Sequence, residues 1–412
     1  MTKESLASVL GVEAWPEEYE VLLERFNDEW DTIKEQPLLD MQAARKLAEE
    51  GFIAPEQFSD AEECLELMEN DESLAFAFQC LFYVLCVYRG AHENELYIEP
   101  VPPSLGEFRF TFSMVLLMKI LIHGVEKARA RHIPEELIEQ HKGAANGGIG
   151  EEGRFGTPGM FHWRVVCAFA TMYQLGAFRY EPERVPPGYR MLRRKADGAL
   201  LMVYTAERSF DEFGQFSSPE HAAFVSKLSV GKTDGYLVHP NGSVVDRYVA
   251  LPEDEWETAF DGGDAALSFH IPSGIPYHIE ALCDSFEKAI AFYSEYYPDL
   301  PVRSIQSYSW LYSPQLTSIL STESGINRLN RELYLAPVPS GADGFYSFVF
   351  QTDSASFDLQ TAPTDTSLKR GFVSFVKNGG RVHNGFMYFP AADVGRVCED
   401  AHRLYAWDIL EE

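Results

Sequence analysis

The stretch Leu267-Ser268-Phe269-His270-Ile271-Pro272-Ser273-Gly274 leads into a long amphipathic segment from about His278 to Tyr296. The apolar run reads as a short strand over 265–271, and Pro272, Ser273 and Gly274 are residues that turn a chain. Strand, loop and helix in that order leave backbone N–H groups unpaired at the helix start. Such a terminus attracts anions, a pyrophosphate among them. The same pattern also serves as a plain turn packing a helix on a sheet, so it speaks to topology before it speaks to a ligand.

Upstream, Asp197-Gly198 lies between extended runs at 189–195 and 199–205, and Asn241-Gly242 between 235–238 and 243–251. Both pairs tolerate positive φ, which two-residue hairpin turns require. Downstream, strands are expected near 302–311, 345–351, 372–377 and 385–389. Hairpins followed by strand, loop, helix and strand predict a mixed, mostly antiparallel sheet with flanking helices.

The first half has a different period. Pro16 stands at a helix start, and Tyr19, Leu22, Phe26, Trp30 and Ile33 then recur at three- and four-residue steps. A second helix runs from about Asp40 to Gly51, and Ser59 with Glu62 reads as a capping box opening a third. Further helices are expected near 73–89, 108–131, 134–141 and 160–175. A proline-rich joint with Pro182, Pro186 and Pro187 ends this part. The fold class is therefore α+β: an all-helical N-terminal domain over 1–186, then an α/β domain over 187–412.

Acids outnumber bases 63 to 34, a net charge of -29. That excludes a phosphate-tracking nucleic-acid binder and disfavours an anionic membrane surface. Residues 1–72 carry 21 acids and 5 bases, as a solvated helical face does. The apolar runs 74–88 and 112–124 fall short of the roughly 18–20 residues of a membrane span. The opening residues lack the basic and apolar regions of a secretory signal. The six cysteines show no CxxC pair and sit mostly among apolar residues, so free thiols in a reducing, cytoplasmic compartment are expected.

Gly148-Ile149-Gly150-Glu151-Glu152-Gly153 spells a dinucleotide fingerprint, but a helix precedes it and two glutamates would repel phosphate. It reads as a flexible loop. No Walker loop or GxSxG elbow occurs. His92-Glu93-Asn94-Glu95 and His132 with Glu135 and Glu136 read as surface charges, and no metal site is expected.

His270-Ile271-Pro272-Ser273-Gly274, the helix bearing Ser285, Ala289 and Phe292, and Ser309-Trp310-Leu311-Tyr312-Ser313-Pro314 resemble the "HIP-x-G … SWL-x-x-P" pattern of GNAT-like C-terminal domains. Trp256 and Gly263-Asp264 stand where that family's "W … GD" falls. Phe161-His162-Trp163 and the run 175–181 are similar to the end of the N-acyltransferase N-terminal domain that accompanies it. The resemblance spans roughly residues 100–340. Two departures are Gly176-Ala177-Phe178 for the usual Gly-Arg-Leu and Ser324-Gly325-Ile326 for Ser-Asn-Ile. The (Q/R)-x-x-G-x-(G/A) pyrophosphate loop of ordinary GNAT acetyltransferases is absent.

The resemblance implies an N-acyltransferase that moves an acyl group from acetyl-CoA or another acyl-CoA to an amine. Pro272, Ser273, Gly274 and Ile275 would then cradle the pyrophosphate, Tyr312 or Tyr334 would serve as acid toward the leaving thiolate, and His270 as general base. The acidic balance favours a cationic amine as the small-molecule substrate. The missing loop motif leaves a second reading open, a non-catalytic ligand-binding or regulatory module on the same scaffold. The two readings divide on whether the strand ending at Ile271 parts from the one ending near Leu311.

Overall fold

The structure is a computed structural model and describes residues 1–88, 98–275, 277–339, 344–395 and 404–411. The chain divides into two compact units. One comprises 1–174 with 181–183, the other 175–180 with 184–412.

In the first unit the helices are α1 (Lys3–Leu10), α2 (Glu20–Ile33), α3 (Met41–Glu49), α4 (Phe58–Glu69), α5 (Glu72–Tyr83), α6 (Arg109–Ala130), α7 (Glu135–Ile138) and α8 (Phe161–Ala168). A short hairpin, β1 (Gly148–Ile149) with β2 (Phe155–Gly156), occupies the glycine-rich stretch. Tyr19, Phe26 and Ile33 of the expected stripe are buried and Trp30 packs its ring on Phe76, but Leu23 is buried where Leu22 was expected, and Leu22 is only half-buried. Asp40 caps α3 through Ala43 N–H. The expected capping box at Ser59 does not form. α4 starts one residue earlier, continuing a 3₁₀ turn at Pro55–Gln57 that already supplies its first carbonyls.

The helical stretch Pro103–Ala130 is longer than the apolar run suggested, and by length and composition it could cross a membrane. Its most apolar part is 72% buried, packed among helices of this unit. The helix expected over 160–175 ends at Ala168, and β3 (Tyr173–Leu175) follows.

The second unit begins with Leu175, a turn, and β4 (Phe178–Arg184), where the division between the units falls. Then come β5 (Tyr189–Arg194), β6 (Leu200–Tyr204), β7 (Ser209–Phe210), β8 (Phe224–Val225), β9 (Asp234–His239), β10 (Ser243–Ala250), β11 (Trp256–Phe260) and β12 (Ala265–His270). After them come α9 (Ile279–Tyr296), β13 (Ser304–Ser309), α10 (Leu316–Ile319), α11 (Gly325–Asn330), β14 (Tyr334–Pro337), α12 (Ser367–Lys377) and β15 (Gly385–Pro390). Both expected hairpins form, β5–β6 and β9–β10. One sheet has the order β10-β9-β6-β5-β11, and a mixed one the order β14-β15-β13-β12-β4-β3.

Two stretches expected as strands are helical. Residues 345–350 form a π-helical turn, and 367–377 form α12. Their rings cluster locally instead of alternating across a sheet: Phe345, Tyr346, Phe350 and Phe357 all pack against Phe372. Leu368, Phe372, Phe375 and Val376 lie on one helical face, a spacing that alternation cannot produce.

Cys64, Cys80, Cys86 and Cys167 are free thiols. Cys283 is disulfide-bonded, which departs from the expectation of free thiols throughout. Cys398 and the 92–95 run lie outside the described residues.

Candidate active site

β12 and β13 are parallel neighbours joined by α9. Their ladder consists of Ala266 with Ser304, Leu267 with Ile305 and Ser268 with Gln306. Both strands continue beyond it, β12 to His270 and β13 to Ser309, without further ladder pairing. β13 meanwhile stays paired with β15 along its whole length, from Ser304–Pro390 to Ser309–Gly385. β12 therefore loses its partner on this side just where the loop to α9 begins. At this point the Ser307 hydroxyl donates to the Phe269 carbonyl over 2.9 Å.

Gathered here are two phenols from different segments. Tyr312 follows β13 in a 3₁₀ turn started by Ser309, whose hydroxyl accepts from Leu311 N–H. Tyr277 belongs to the loop before α9. Both hydroxyl oxygens are buried, and neither meets hydrogen-bond geometry with any described group. They nevertheless sense each other. Burial pushes Tyr312 up to about 12, with the hydroxyls of Ser307 and Tyr277 acting in the opposite direction. Burial also pushes Tyr277 well above the usual phenol range, and Tyr312 adds to the effect. Both are neutral O–H donors at pH 7, and a buried donor without an acceptor costs about 1–3 kcal/mol until something accepts from it.

The loop itself is open. Ser273 and Gly274 form an exposed turn with Gly274 at φ +79°, and a Cβ built there meets nothing within 4 Å. Among the described residues no backbone carbonyl takes up the N–H groups of Ser273, Gly274 or Ile275. α9 starts four residues later with His278 as its cap. Nδ1 of His278 lies 3.3 Å from Ala281 N and 2.8 Å from Glu280 Oε2. The first contact needs a lone pair and the second a proton, so the two compete. The Glu280 carboxyl is held below its usual range by its own backbone N–H, then by His278, and more weakly by Arg328. Arg328, exposed on α11, thus stands close to the start of α9.

Beneath the loop, Ser285 of α9 ties the helix to the sheet. Its hydroxyl accepts from Tyr180 OH at 2.8 Å and from Phe178 N–H at 3.3 Å, and it donates to the Leu175 carbonyl.

Of the residues singled out in the sequence, Pro272, Ser273, Gly274, Ile275 and Tyr312 converge on the end of the β12–β13 ladder. His270 is half-buried at the end of β12. Tyr334 lies elsewhere, on β14 opposite Tyr388 of β15, with its hydroxyl donating to the Leu404 carbonyl at 3.4 Å. Ser307 and Arg328 were not legible as site residues, and Tyr277 only as the end of the loop that begins at Pro272. Ser307 and Tyr277 belonged to segments already read as strand and loop, but their meeting depends on strand register.

A family model described as GNAT-like C-terminal domain matches residues 172–388. No curated protein matched the chain in sequence. Three solved structures share the fold at 18% identity. One is an acyltransferase mutant in complex with octanoyl-CoA, with a TM-score of 0.54 and coverage of 95% of this chain and 99% of that one. Another is an acyltransferase with CoA and 10C-teicoplanin, at TM-score 0.52 with 95% and 100% covered. The third is an acyltransferase with decanoyl-CoA and teicoplanin, at TM-score 0.50 with the same shares. With more than half its length matched by the family model, the chain belongs to the family of GNAT-like C-terminal domain proteins.

Proposed function

We propose that the chain is an acyl-CoA-dependent N-acyltransferase acting on a small-molecule amine. One observation carries this reading: the parallel ladder stops after three pairs, and just beyond it stand two phenols whose buried hydroxyls have no hydrogen-bond partner among the described residues. The opening leaves β12 beyond Ser268 without ladder pairing to β13, and the phenols carry protons. The solved structures with acyl-CoA on the same fold support it.

An acyl-CoA would bring an activated thioester. In the proposed arrangement the N–H groups of Ser273, Gly274 and Ile275 meet its pyrophosphate, with Arg328 as the nearby cation that the sequence pattern did not disclose. Glu280 works against phosphate at this position, so the site relies on backbone donors more than on side-chain charge. Tyr312 holds its proton at neutral pH and is assigned to protonate a departing thiolate. His270 is assigned to accept the proton of the incoming ammonium.

Thermal-shift titration with octanoyl-CoA, acetyl-CoA and free CoA tests this. A ligand at about 100 times its Kd stabilises the folded state by roughly 2.7 kcal/mol. The expected result is a saturable rise in Tm that Gly274→Val reduces, since a branched side chain at positive φ reshapes the loop. No rise at millimolar coenzyme would overturn the assignment. A rise with no turnover of any amine would instead favour the non-catalytic module.

A further inference from the structure

A cavity of about 1060 Å³ lies within the second unit, walled by the turn after β7, the β9–β10 hairpin turn, the segment after Tyr312 and the end of α12. We propose that it seats the acceptor, and that this acceptor is an amine borne on a bulky aromatic body. The proposal rests on the acyltransferase reading for the word acceptor, but not for the binding itself.

Its position comes first. The wall begins at Pro314 and Gln315, directly after Tyr312 and Ser313. Gln315 Oε1 accepts from Ser313 Oγ at 2.9 Å and from His383 N–H at 3.0 Å, so one side chain ties the cavity wall to the turn that carries Tyr312. Gly385, two residues past His383, packs against that same turn, since a Cβ there would fall 2.4 Å from the Tyr312 carbonyl. The cavity thus adjoins the carboxyl end of β13, the same end at which the β12–β13 ladder opens.

Its chemistry names the ligand. Phe213, Phe216 and Phe375 line it, and Phe213 is 65% exposed, an aromatic ring left bare on a concave surface. Phe375 is held there by the absence of a side chain at Gly380, where a Cβ would come within 2.5 Å of its ring. Three rings around so large a space suit a flat, multi-ring body better than a short aliphatic amine.

Asp211 supplies the cation site. Its Oδ1 accepts from the N–H groups of Phe213 and Gln215, both at 2.9 Å, which fixes the carboxylate in the turn. Among the described residues Oδ2 has no hydrogen-bond partner. Glu212 adds a second negative charge and Arg381 one positive. His383 lines the same wall, its buried Nδ1 without a hydrogen-bond partner among the described residues, and burial holds its pKa below the usual imidazole value against the opposing pull of Asp211. A neutral imidazole leaves the carboxylates to dominate the field at an ammonium.

The test uses the full chain and phenylalanyl-phenylalanine amide with a free amino group, followed by calorimetric titration without coenzyme. Its N-acetyl derivative and spermidine serve as comparisons. The expected result is saturable binding of the dipeptide amide, about tenfold weaker for the N-acetyl form, and none for spermidine. Asp211→Asn, which keeps the Oδ1 acceptor of the turn, and Phe213→Ser, on an exposed rim, should each weaken binding by about tenfold. Neither should change the Tm rise given by octanoyl-CoA. Absence of dipeptide binding, or binding indifferent to both variants, overturns the proposal. Dipeptide binding that responds to both variants while octanoyl-CoA gives no Tm rise keeps the cavity assignment and sinks acyl transfer.

Discussion

The Ser307 hydroxyl donates to the carbonyl of Phe269 over 2.9 Å, immediately beyond the last ladder pair of β12 and β13. A side-chain bond stands where a backbone ladder would otherwise continue, so two parallel strands separate without stranding a buried carbonyl. Ser307→Ala should cost about 1–3 kcal/mol in urea denaturation, the penalty of leaving that carbonyl unsatisfied. An unchanged midpoint would mean that water reaches Phe269 and that the strands part further than the bond implies.

Tyr312 offers the opposite sign. Its buried hydroxyl meets hydrogen-bond geometry with no group among the described residues, so Tyr312→Phe removes a desolvated donor and leaves the ring packing intact. Tm should stay constant or rise, while acylation of an amine at saturating acyl-CoA should fall by about 10²–10⁴-fold, the range for loss of a general acid. A fall in Tm with turnover preserved would assign the hydroxyl a structural role.

What the sequence disclosed about this fold follows from which interactions are local. Asp197-Gly198 and Asn241-Gly242 announced their hairpins because two-residue turns impose a local φ that few residues accept. The β12–loop–α9 unit was legible for the same reason. β4 was missed because Pro182 read as a linker, although Phe178 and Tyr180 are both buried. The stretches 345–351 and 372–377 misled because their aromatics carry strand propensity, which the ring cluster around Phe372 overrides. The site divided similarly. Pro272–Ile275 and Tyr312 stand out by motif, but the approach of Tyr277 to Tyr312 is set by the register of β13 against β12, a long-range property.

Ser285 lies on the helix that carried part of the family pattern, and its role is anchoring. Fully buried, it accepts two hydrogen bonds and donates one, joining α9 to the β3–β4 turn region. Ser285→Ala should destabilise the chain by about 3 kcal/mol, since the partners left behind are buried. Ser285→Thr adds a methyl beside Gly176, whose own missing Cβ would fall 3.1 Å from Ser285 Cα, so it should fail to restore stability. Full rescue by threonine in chemical denaturation would show the packing there to be loose.

Asp234 sets a pH dependence in the five-stranded sheet. Burial works against its charge, yet the hydroxyls of Ser229 and Tyr248 and the N–H groups of Gly231 and Val230 outweigh it, and its pKa is lowered to about 2. A depressed carboxyl favours the folded state through its ionised form. Its contribution is present in full above the ordinary Asp value near 3.8 and is lost as pH falls through about 2. The side chain is only 8% exposed, so the shift translates into about 2 kcal/mol. Asp234→Asn should therefore remove about that much stability at pH 7 and flatten the slope of stability between pH 4 and 2. A variant that keeps the wild-type slope over that interval would place the acid-labile carboxylate elsewhere.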